Sequence, residues 1–302
     1  MSTMRDTCPV CGGCVATLFM KRNRFAPVDS FSPSSSDFGV FYDLFRCDAC
    51  HAVYAATCPT PDDMMRLYQA SCHDGYMVEE NNRCMNFRGL LGALTPYLDM
   101  SRPVRILDVG AATGLFLDTV RRQFPHWTVA GIEASTSAVE TCRRRFGIAL
   151  HHGMFESATL ADDTYDIITM LDVIEHAGTP MEMIAKASQF LAPGGLLVLT
   201  TPNIGSWTAR LFRSRWWDFR LMHTVYFSRL SMRQMLARGG FRVLKMRGLI
   251  RFFSLRYCLR HLGWTIHGPS RSIPFPLALG DMMVIARKEA SCSTPATGSE
   301  GA

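Results

Sequence analysis

The stretch that decides the fold of this chain is Ile106-Leu107-Asp108-Val109-Gly110-Ala111-Ala112-Thr113-Gly114-Leu115-Phe116-Leu117. The apolar run from Val104 to Val109 is rich in branched residues and follows a proline, which predicts a buried strand. The small residues after it predict a tight turn, and apolar residues at helical spacing from Leu115 to Phe124 predict a helix. Glycine lets the backbone approach a ligand, and a helix N-terminus offers free N–H groups. The stretch therefore predicts the start of an α/β nucleotide-binding unit.

Two carboxylates at predicted strand ends indicate what kind of ligand this unit binds. Asp108 lies near the end of the first strand, and Glu133, 25 residues later, follows a second predicted strand, Trp127 to Ile132. A carboxylate at the second position can accept hydrogen bonds from both hydroxyls of a ribose. The turn lacks the full G-x-G-x-x-G pattern, which disfavours a dinucleotide. A cationic ligand with a ribose suits this pair, and S-adenosylmethionine carries a sulfonium, an amino group and a ribose.

Four motifs, in this order and at this spacing, resemble those of the class I S-adenosylmethionine-dependent methyltransferases. They are Asp108-Val109-Gly110-(x3)-Gly114, Gly131-Ile132-Glu133, Tyr165-Asp166-Ile167-Ile168 and Leu191-Ala192-Pro193-Gly194-Gly195. The resemblance covers about Val104 to Pro202 and is strongest to the small-molecule branch, which includes the ubiquinone-biosynthesis methyltransferases. It implies an α/β fold, with a Rossmann-like seven-stranded sheet and helices on both faces.

The resemblance also implies which residues contact S-adenosylmethionine. The expected cofactor-binding residues are Asp108, Gly110, Ala111, Ala112, Gly114, Glu133, Ala134, Met154, Phe155 and Leu171. Families of this class often have glycine where Ala112 stands. Alanine adds only a methyl group, so we expect the turn to be kept with slightly tighter contact.

A small zinc ribbon is predicted in residues 1–60. Its metal ligands would come from two C-x-x-C pairs, namely Cys8, Cys11, Cys47 and Cys50. Four thiolates are the tetrahedral set that a structural Zn²⁺ prefers, and they leave no open position for catalysis. Two unrelated pairs of buried thiols are the alternative, and Cys14 and His51 stand nearby as substitute ligands.

Composition limits the class of protein. The chain has 302 residues, of which 48% are apolar and 19% charged, as is typical of a globular protein. The net charge of +6 permits an anionic partner without demanding nucleic acid. The N-terminus lacks a signal sequence, and no apolar run approaches the ~18 residues of a membrane span. We therefore expect a cytoplasmic protein without a transmembrane segment, whose eleven cysteines are thiols or metal ligands rather than disulfides.

Sequence patterns divide the rest of the chain into three predicted segments. Residues 61–101 look helical, and in the resembling enzymes such a segment covers the cofactor and the acceptor. Residues 102–288 form the predicted methyltransferase domain, within which residues 203–240 are predicted as an acceptor-facing insertion. The tail, residues 289–302, is rich in small polar residues and is expected to be disordered.

The insertion mixes arginines with large aromatic residues. This mixture suits a phosphate-bearing acceptor, a nucleotide-sugar or peripheral contact with an anionic membrane surface. A solvated face with a few aromatic anchors is the alternative.

Candidate catalytic residues lie after the fourth predicted strand, Asp166 to Leu171, and near the end of the insertion. In the resembling branch, an acidic residue followed by Glu-His stands close to the transferring methyl group; here these are Asp172, Glu175 and His176. His176 or Asp172 could take a proton from an acceptor hydroxyl, or the cluster could hold a divalent cation that lowers the hydroxyl pKa. Alternatively, Glu175 and His176 only brace the next loop. The second general-base candidate is His223, since a histidine before Phe-Ser often lies in the acceptor pocket of the resembling enzymes; its alternative role is to bridge the loop to the next helix.

Three functions follow from these observations. The leading prediction is a methyltransferase acting on an oxygen, or alternatively a carbon, of a small molecule, a sugar or a glycan or lipid-linked intermediate. The second is a ribosomal RNA or other nucleic-acid methyltransferase. However, strand four ends in Leu171-Asp172-Val173, without the Asn/Asp-Pro-Pro-aromatic group of amino-methylating enzymes and without a Pro-Cys nucleophile, so nucleic acid is disfavoured. The third is a cofactor-binding scaffold without activity, against which the complete set of motif residues argues.

Overall fold

A computed structural model describes residues 2–22, 40–70, 79–160, 164–254 and 274–289. Its helices are Pro61–Ala70 (α1), Glu80–Gly92 (α2), Leu115–Gln123 (α3), Thr136–Phe146 (α4), Pro180–Phe190 (α5), Trp207–Phe212 (α6) and Arg229–Arg238 (α7). Its strands are Ser2–Met4 (β1), Ala16–Met20 (β2), Leu44–Cys47 (β3), Val53–Ala55 (β4), Thr57–Pro59 (β5), Arg105–Val109 (β6), Thr128–Glu133 (β7), His151–His152 (β8), Tyr165–Leu171 (β9), Leu191–Pro202 (β10), Val225–Tyr226 (β11), Phe241–Gly248 (β12), Arg251–Ser254 (β13), Pro274–Leu277 (β14) and Asp281–Lys288 (β15). The predicted tail lies outside the described residues except for Glu289.

The central sheet has seven strands in the order β12-β15-β10-β9-β6-β7-β8. Strands β6 to β10 run parallel, whereas β15 is antiparallel to both β10 and β12. The predicted Rossmann-like methyltransferase sheet is therefore confirmed. Because the carboxyl ends of the parallel strands meet at one edge, the residues that follow β6, β7, β9 and β10 are brought together there.

Side chains on successive strand positions pack to opposite faces of this sheet. One face carries Leu107, Ile168 and Leu197, and the other carries Ile106, Ile167 and Val198. Helices α5 and α7 cover the first face, and α2, α3 and α4 cover the second. Burying each such side chain stabilises the folded state by roughly 1.5–3 kcal/mol. The packed core on both faces keeps the edge of the sheet rigid beneath the site.

The turn between β6 and α3 needs backbone angles that glycine adopts most easily. Gly110 and Gly114 have φ of +70° and +79°, and Ala112 has φ of +46°. A Cβ at Gly114 would lie 2.1 Å from Cys142 Sγ, so α3 and α4 can approach this closely only over glycine. The turn is kept with alanine at position 112, as expected.

The N-terminal sheet includes a strand from much later in the chain, within the predicted insertion. Its order is β11-β4-β3-β2, and β11 pairs antiparallel with β4 through Val225 opposite Tyr54. A separate two-stranded sheet joins β1 to β5. The division of the chain at residues 60 and 101 stays a prediction, but the described strands link the N-terminal segment to the residues just after His223.

Among the described residues, no helix has both the length and the apolar composition that crossing a membrane would require.

Candidate active site

A cavity of about 880 Å³ opens at the carboxyl ends of the parallel strands. It is lined by nine of the ten expected cofactor-binding residues, which are Asp108, Gly110, Ala111, Ala112, Glu133, Ala134, Met154, Phe155 and Leu171. It is also lined by the three candidate catalytic residues, Asp172, His176 and His223. The tenth cofactor candidate, Gly114, is not part of the lining; it starts α3 behind the turn.

The half of the cavity under the turn, which we call the donor half, is organised by Glu133. Its Oε2 accepts a hydrogen bond from the Ala112 N–H at 2.7 Å, and its Oε1 accepts one from the Ser135 N–H at 2.7 Å. Because a carboxylate oxygen has two lone pairs, each oxygen keeps capacity for a further donor such as a ribose hydroxyl. The main chain thus fixes the carboxylate at the end of β7.

Asp108 is the second carboxylate of the donor half and is only 3% exposed. Thr169 Oγ1 donates to its Oδ1 at 2.5 Å. Burial raises the pKa of Asp108 to about 7, with a contribution from the negative charge of Glu133, and the bond from Thr169 only partly opposes this. A carboxyl group poised in this way favours a cationic ligand, which would stabilise the ionised form.

The other end of the cavity, which we call the acceptor half, contains a bridged carboxylate pair. Arg251 donates two hydrogen bonds to Asp172, at 2.6 and 2.5 Å, and its Nε lies 2.9 Å from Asp281 Oδ2. Burial would raise the pKa of Asp172, but the charge and hydrogen bonds of Arg251, with the Thr200 hydroxyl, lower it to about 2. So weak a base is poorly suited to accepting a proton, and the geometry favours an anchoring role for Asp172.

His176 and His223 lie side by side in the acceptor half, with ring centroids 4.8 Å apart. The Nδ1 of His176 is 3.0 Å from the carbonyl oxygen of Met222, and the Nδ1 of His223 is 2.7 Å from that of Asp218. Because a carbonyl oxygen can only accept, we assign the proton of each neutral ring to Nδ1, which leaves Nε2 with its lone pair.

Both histidines are neutral at physiological pH. Burial lowers the pKa of His176 to about 4. Burial lowers the pKa of His223 well below its usual value, as do the repulsion that a protonated His176 would exert and the charge of Arg220. The pair is therefore unprotonated over the whole neutral range.

Glu175 completes this cluster. It is 2% exposed, and its Oε2 is buried and accepts no hydrogen bond from the residues that the structure describes. Burial and the negative charge of Asp172 raise the pKa of Glu175 well above its ordinary value. One ligand atom each from Glu175, His176 and His223 lie within 4.8 Å of one another, a spacing that a bound metal ion could bridge. The main chain of Glu175 also contacts the later segment, since its carbonyl oxygen accepts from the Thr224 N–H.

The arginine- and aromatic-rich insertion divides into a buried part and an exposed part. Trp216 and Phe219 are buried and pack edge-to-face. Trp207, Leu211 and Phe212 are exposed by 60%, 65% and 42%. The exposed arginines beside them are Arg210, Arg213 and Arg215. Toward the cavity the insertion contributes Asp218, Arg220, Met222 and His223.

The four cysteines of the N-terminal segment form one cluster rather than two separate pairs. The Sγ atoms of Cys8 and Cys50 are 3.5 Å apart, those of Cys11 and Cys47 are 3.4 Å apart, and all four lie within 4.8 Å of one another. A tetrahedral zinc with Zn–S bonds of about 2.3 Å places its sulfurs about 3.8 Å apart, so the cluster fits that ion. Cys14 and His51 are exposed and do not belong to the group.

Sequence reasoning did not find Arg251, Asp218 or Arg5, which also line the cavity. Arg251 and Arg5 are single charged residues in segments without a motif, and Asp218 lies in the insertion, where the sequence pattern drew attention only to arginines and aromatic residues. Only the three-dimensional structure reveals that Arg251 meets a carboxylate 79 residues earlier in the chain.

The fold and the site together agree with the comparisons to known proteins. A protein-family profile described as "Methyltransferase domain" matches residues 79–246, which is 168 of the 302 residues, and the chain belongs to this family. Relatives include a ubiquinone biosynthesis O-methyltransferase of Maricaulis maris, 29% identical over 106 residues. A dimethylglycine N-methyltransferase of Parasynechococcus marenigrum is 31% identical over 119 residues. These alignments cover 33% and 35% of this chain, and the chain spans about two fifths of each relative, 41% in both cases.

Two solved structures share the fold. One is the putative methyltransferase in complex with the Haloferax volcanii Trm112 methyltransferase activator, with a TM-score of 0.53 and 15% identity over 72% of this chain and 95% of that one. The other is the plantazolicin methyltransferase, with a TM-score of 0.51 and 14% identity over 72% of this chain and 88% of that one. At this identity the likeness supports the fold alone.

Proposed function

We propose that this protein transfers the methyl group of S-adenosylmethionine to an oxygen of a small molecule, a sugar or a glycan or lipid-linked intermediate. The observation that carries the proposal is that one cavity contains both the donor half and, at its other end, two neutral histidines. Small-molecule acceptors also fit the relatives, which are named for ubiquinone biosynthesis and for dimethylglycine. Transfer to carbon stays an alternative, because it needs the same donor site and a base in the same place.

When bound, S-adenosylmethionine supplies a methyl group already activated by its sulfonium. The residues of this chain then have two tasks, which are to align the acceptor and to receive its proton. Glu133, Asp108 and the turn would hold the donor. The Nε2 atom of His223 or His176 would receive the proton of the acceptor hydroxyl. A weak base suffices, because the acceptor oxygen becomes strongly acidic as its bond to the methyl carbon forms.

A divalent cation is the alternative way to activate the hydroxyl. Glu175, His176 and His223 offer one carboxylate and two imidazoles, a donor set that suits several divalent metals. A cation held there would lower the pKa of an acceptor hydroxyl and also neutralise Glu175. Measuring turnover after chelation and after return of single metals distinguishes this alternative from histidine acting alone, since only the former requires the metal.

The cysteine cluster is proposed to hold a structural zinc ion. Gly13 supports this, because its N–H lies 3.4 Å from Cys11 Sγ and a Cβ there would approach that sulfur within 3.2 Å. Elemental analysis should give one zinc per chain, and Cys47→Ser should lower both the zinc content and the melting temperature. A folded protein free of zinc after purification without chelators would contradict the proposal.

Peripheral contact with an anionic membrane is proposed for the exposed part of the insertion, which would suit a lipid-linked acceptor. Exposed aromatic residues flanked by arginines match what interfacial segments present to lipid headgroups. Sedimentation with vesicles that contain an anionic lipid tests it, with neutral vesicles as the control. Equal recovery with both kinds of vesicle would remove this part of the proposal.

The first test of the function is calorimetric titration with S-adenosylmethionine and with its demethylated product. Binding in the micromolar range should be lost in Glu133→Ala and retained in Glu140→Ala, a matched control because Glu140 is exposed on α4. Binding then justifies a screen for methyl transfer to hydroxylated small molecules, sugars and lipid-linked acceptors, with RNA as the comparison substrate. A folded protein that binds neither ligand would contradict the proposal.

A further inference from the structure

The two histidines lie on separate segments of the chain that a single threonine ties together. Thr224, which follows His223, donates its N–H to the Glu175 carbonyl oxygen at 2.9 Å. Its hydroxyl donates to the Ala177 carbonyl oxygen at 2.8 Å. The residues on both sides of His176 are thus bonded to the residue after His223.

Arg5 makes a second tie between the same two segments. Its Nη1 donates to the Thr224 carbonyl oxygen at 3.1 Å, and its Nη2 donates to the Gly178 carbonyl oxygen at 2.8 Å. One planar guanidinium therefore holds a carbonyl one residue after His223 and a carbonyl two residues after His176. These partners lie 219 and 173 positions from Arg5 in the sequence.

Arg5 is itself held in place by the N-terminal strands. It follows β1, whose partner β5 contains Cys58, and its own N–H donates to the Ala56 carbonyl oxygen at 2.9 Å. Burial raises the pKa of the neighbouring Cys58 thiol, which leaves that thiol uncharged. No carboxylate among the described residues lies within ion-pair distance of Arg5; besides the two carbonyl groups, the side chains of Cys58 and Cys8 favour its charged form. Desolvating a cation is costly, and a purely structural position could hold an apolar side chain instead.

We propose that Arg5 is a positioning residue that sets the separation and orientation of His176 and His223 for proton acceptance. This inference rests on the proposed function of the pair. The fork of an arginine can bond two carbonyl groups at a fixed spacing, which the single ammonium of a lysine cannot reproduce. A displacement of about 1 Å at reacting groups can reduce turnover on the order of a hundredfold, so a residue that positions the backbone of the two histidine segments has a measurable effect.

The experiment compares the wild-type chain with Arg5→Ala, Arg5→Lys and Arg287→Ala. Arg287 is the matched control, because its Nη2 donates to the Tyr97 carbonyl oxygen in a part of the chain that does not line the cavity. Three quantities are measured: the Kd of the demethylated product, the turnover number, and the tautomer of each histidine ring by ¹⁵N NMR with histidine labelling.

For Arg5→Ala we expect turnover to fall roughly 10- to 100-fold while the Kd changes less than about twofold. The signals of His176 and His223 should lose their uniform Nδ1-protonated form, and added guanidinium ion should restore part of the turnover. Arg5→Lys should lie between wild type and Arg5→Ala. Arg287→Ala should keep wild-type turnover and tautomers.

Two results would overturn the inference. One is unchanged turnover and unchanged histidine signals in Arg5→Ala. The other is an equal fall in Arg287→Ala, which would make the loss a general effect of destabilisation. If Arg5→Ala does not fold, Arg5→Lys is judged by the same criteria. If the wild type turns over no acceptor, the proposed function fails, but the histidine signals still decide whether Arg5 orders the pair.

Discussion

The two halves of the cavity are built in different ways. In the donor half, Glu133 is held by backbone N–H groups at positions 112 and 135, so its partners lie within about one strand, turn and helix of sequence. In the acceptor half, Asp172 depends on Arg251, and the histidine segments depend on Arg5. The first kind of site is carried by one contiguous motif, whereas the second exists only after distant segments have folded together.

This difference predicts that the two halves can be damaged separately. The largest expected effect is on turnover in His223→Asn, a change that retains a side-chain N–H donor for the Asp218 carbonyl but removes the Nε2 base. Loss of a general base reduces turnover roughly 10²- to 10⁴-fold. Steady-state kinetics and product titration should show that fall with an unchanged Kd. A parallel loss of ligand binding would mean that the halves are not independent.

Gly114→Ala should disrupt the donor half by destabilising the fold around it. The new Cβ would meet Cys142 Sγ, and alanine would have to adopt a positive φ. We expect a loss of about 3 kcal/mol in the free energy of unfolding, most of it from steric overlap. Denaturant unfolding measures this change.

The double variant Gly114→Ala/Cys142→Ala supplies the control for that prediction. Removing the sulfur should recover part of the loss, after correction for Cys142→Ala alone, and leave about 1 kcal/mol for the strained backbone. Strict additivity of the two single changes would show that the close approach of α3 and α4 is not what requires glycine.

Arg251→Gln tests how strongly the acceptor half depends on a distant partner. It leaves Asp172 without its cation, and we expect a loss of about 2 kcal/mol at pH 7. That is less than for a fully buried pair, because the Asp172 side chain is 39% exposed. Urea unfolding measures the change, and Arg242→Gln on the exposed side of β12 is the control.

The pH dependence of that loss has a definite sign. Because the folded pKa of Asp172, about 2, lies below that of an unfolded aspartate, its ionic stabilisation is complete above about pH 4 and disappears as the pH falls toward 2. The difference between wild type and Arg251→Gln should therefore shrink from pH 7 to pH 3. A constant difference would mean that the arginine stabilises by packing alone.

The smallest expected effect concerns the pH dependence of cofactor binding. Since the pKa of Asp108 is about 7 and a cationic ligand prefers the carboxylate, affinity for the demethylated product should fall about tenfold from pH 8 to pH 6. The amino group of that product stays protonated over this range. Thr169→Val removes a bond that lowers the Asp108 pKa, so the midpoint should move to higher pH. A flat profile would show that Asp108 does not sense the ligand charge.

The sequence predicts the donor half well because its signals are local. The predicted strands Val104 to Val109 and Trp127 to Ile132 appear as Arg105–Val109 and Thr128–Glu133, since apolar runs with turn residues mark their own ends. Strand β10, in contrast, starts its pairing at Leu191, with a register shift before Leu196. That irregularity depends on the neighbouring strand, which no local pattern encodes.

The acceptor half is only partly predictable for the same physical reason. Motif positions identified Asp172, His176 and His223, and the cavity gathers all three. Whether Asp172 could act as a base could not be predicted from its position in the sequence, because its pKa depends on Arg251. Arg5 has no sequence signal at all, since an arginine among polar residues near a chain start is ordinary. The roles assigned to these residues stay predictions until the variants are measured.

The pairing of β11 with β4 has a consequence for how the chain is made. Val225 and Tyr226 complete a sheet whose other strands emerge from the ribosome more than 150 residues earlier. At a synthesis rate of about 5–20 residues per second, the edge of β4 stays unpaired for roughly 10–35 seconds. All four cysteines lie within the first 50 residues, so a zinc ion at the proposed site would join the segment before β2 to the end of β3 during that wait. If zinc binds there, it would stabilise β3 beside the unpaired edge of β4, which is exposed to non-native pairing until residue 226 has emerged.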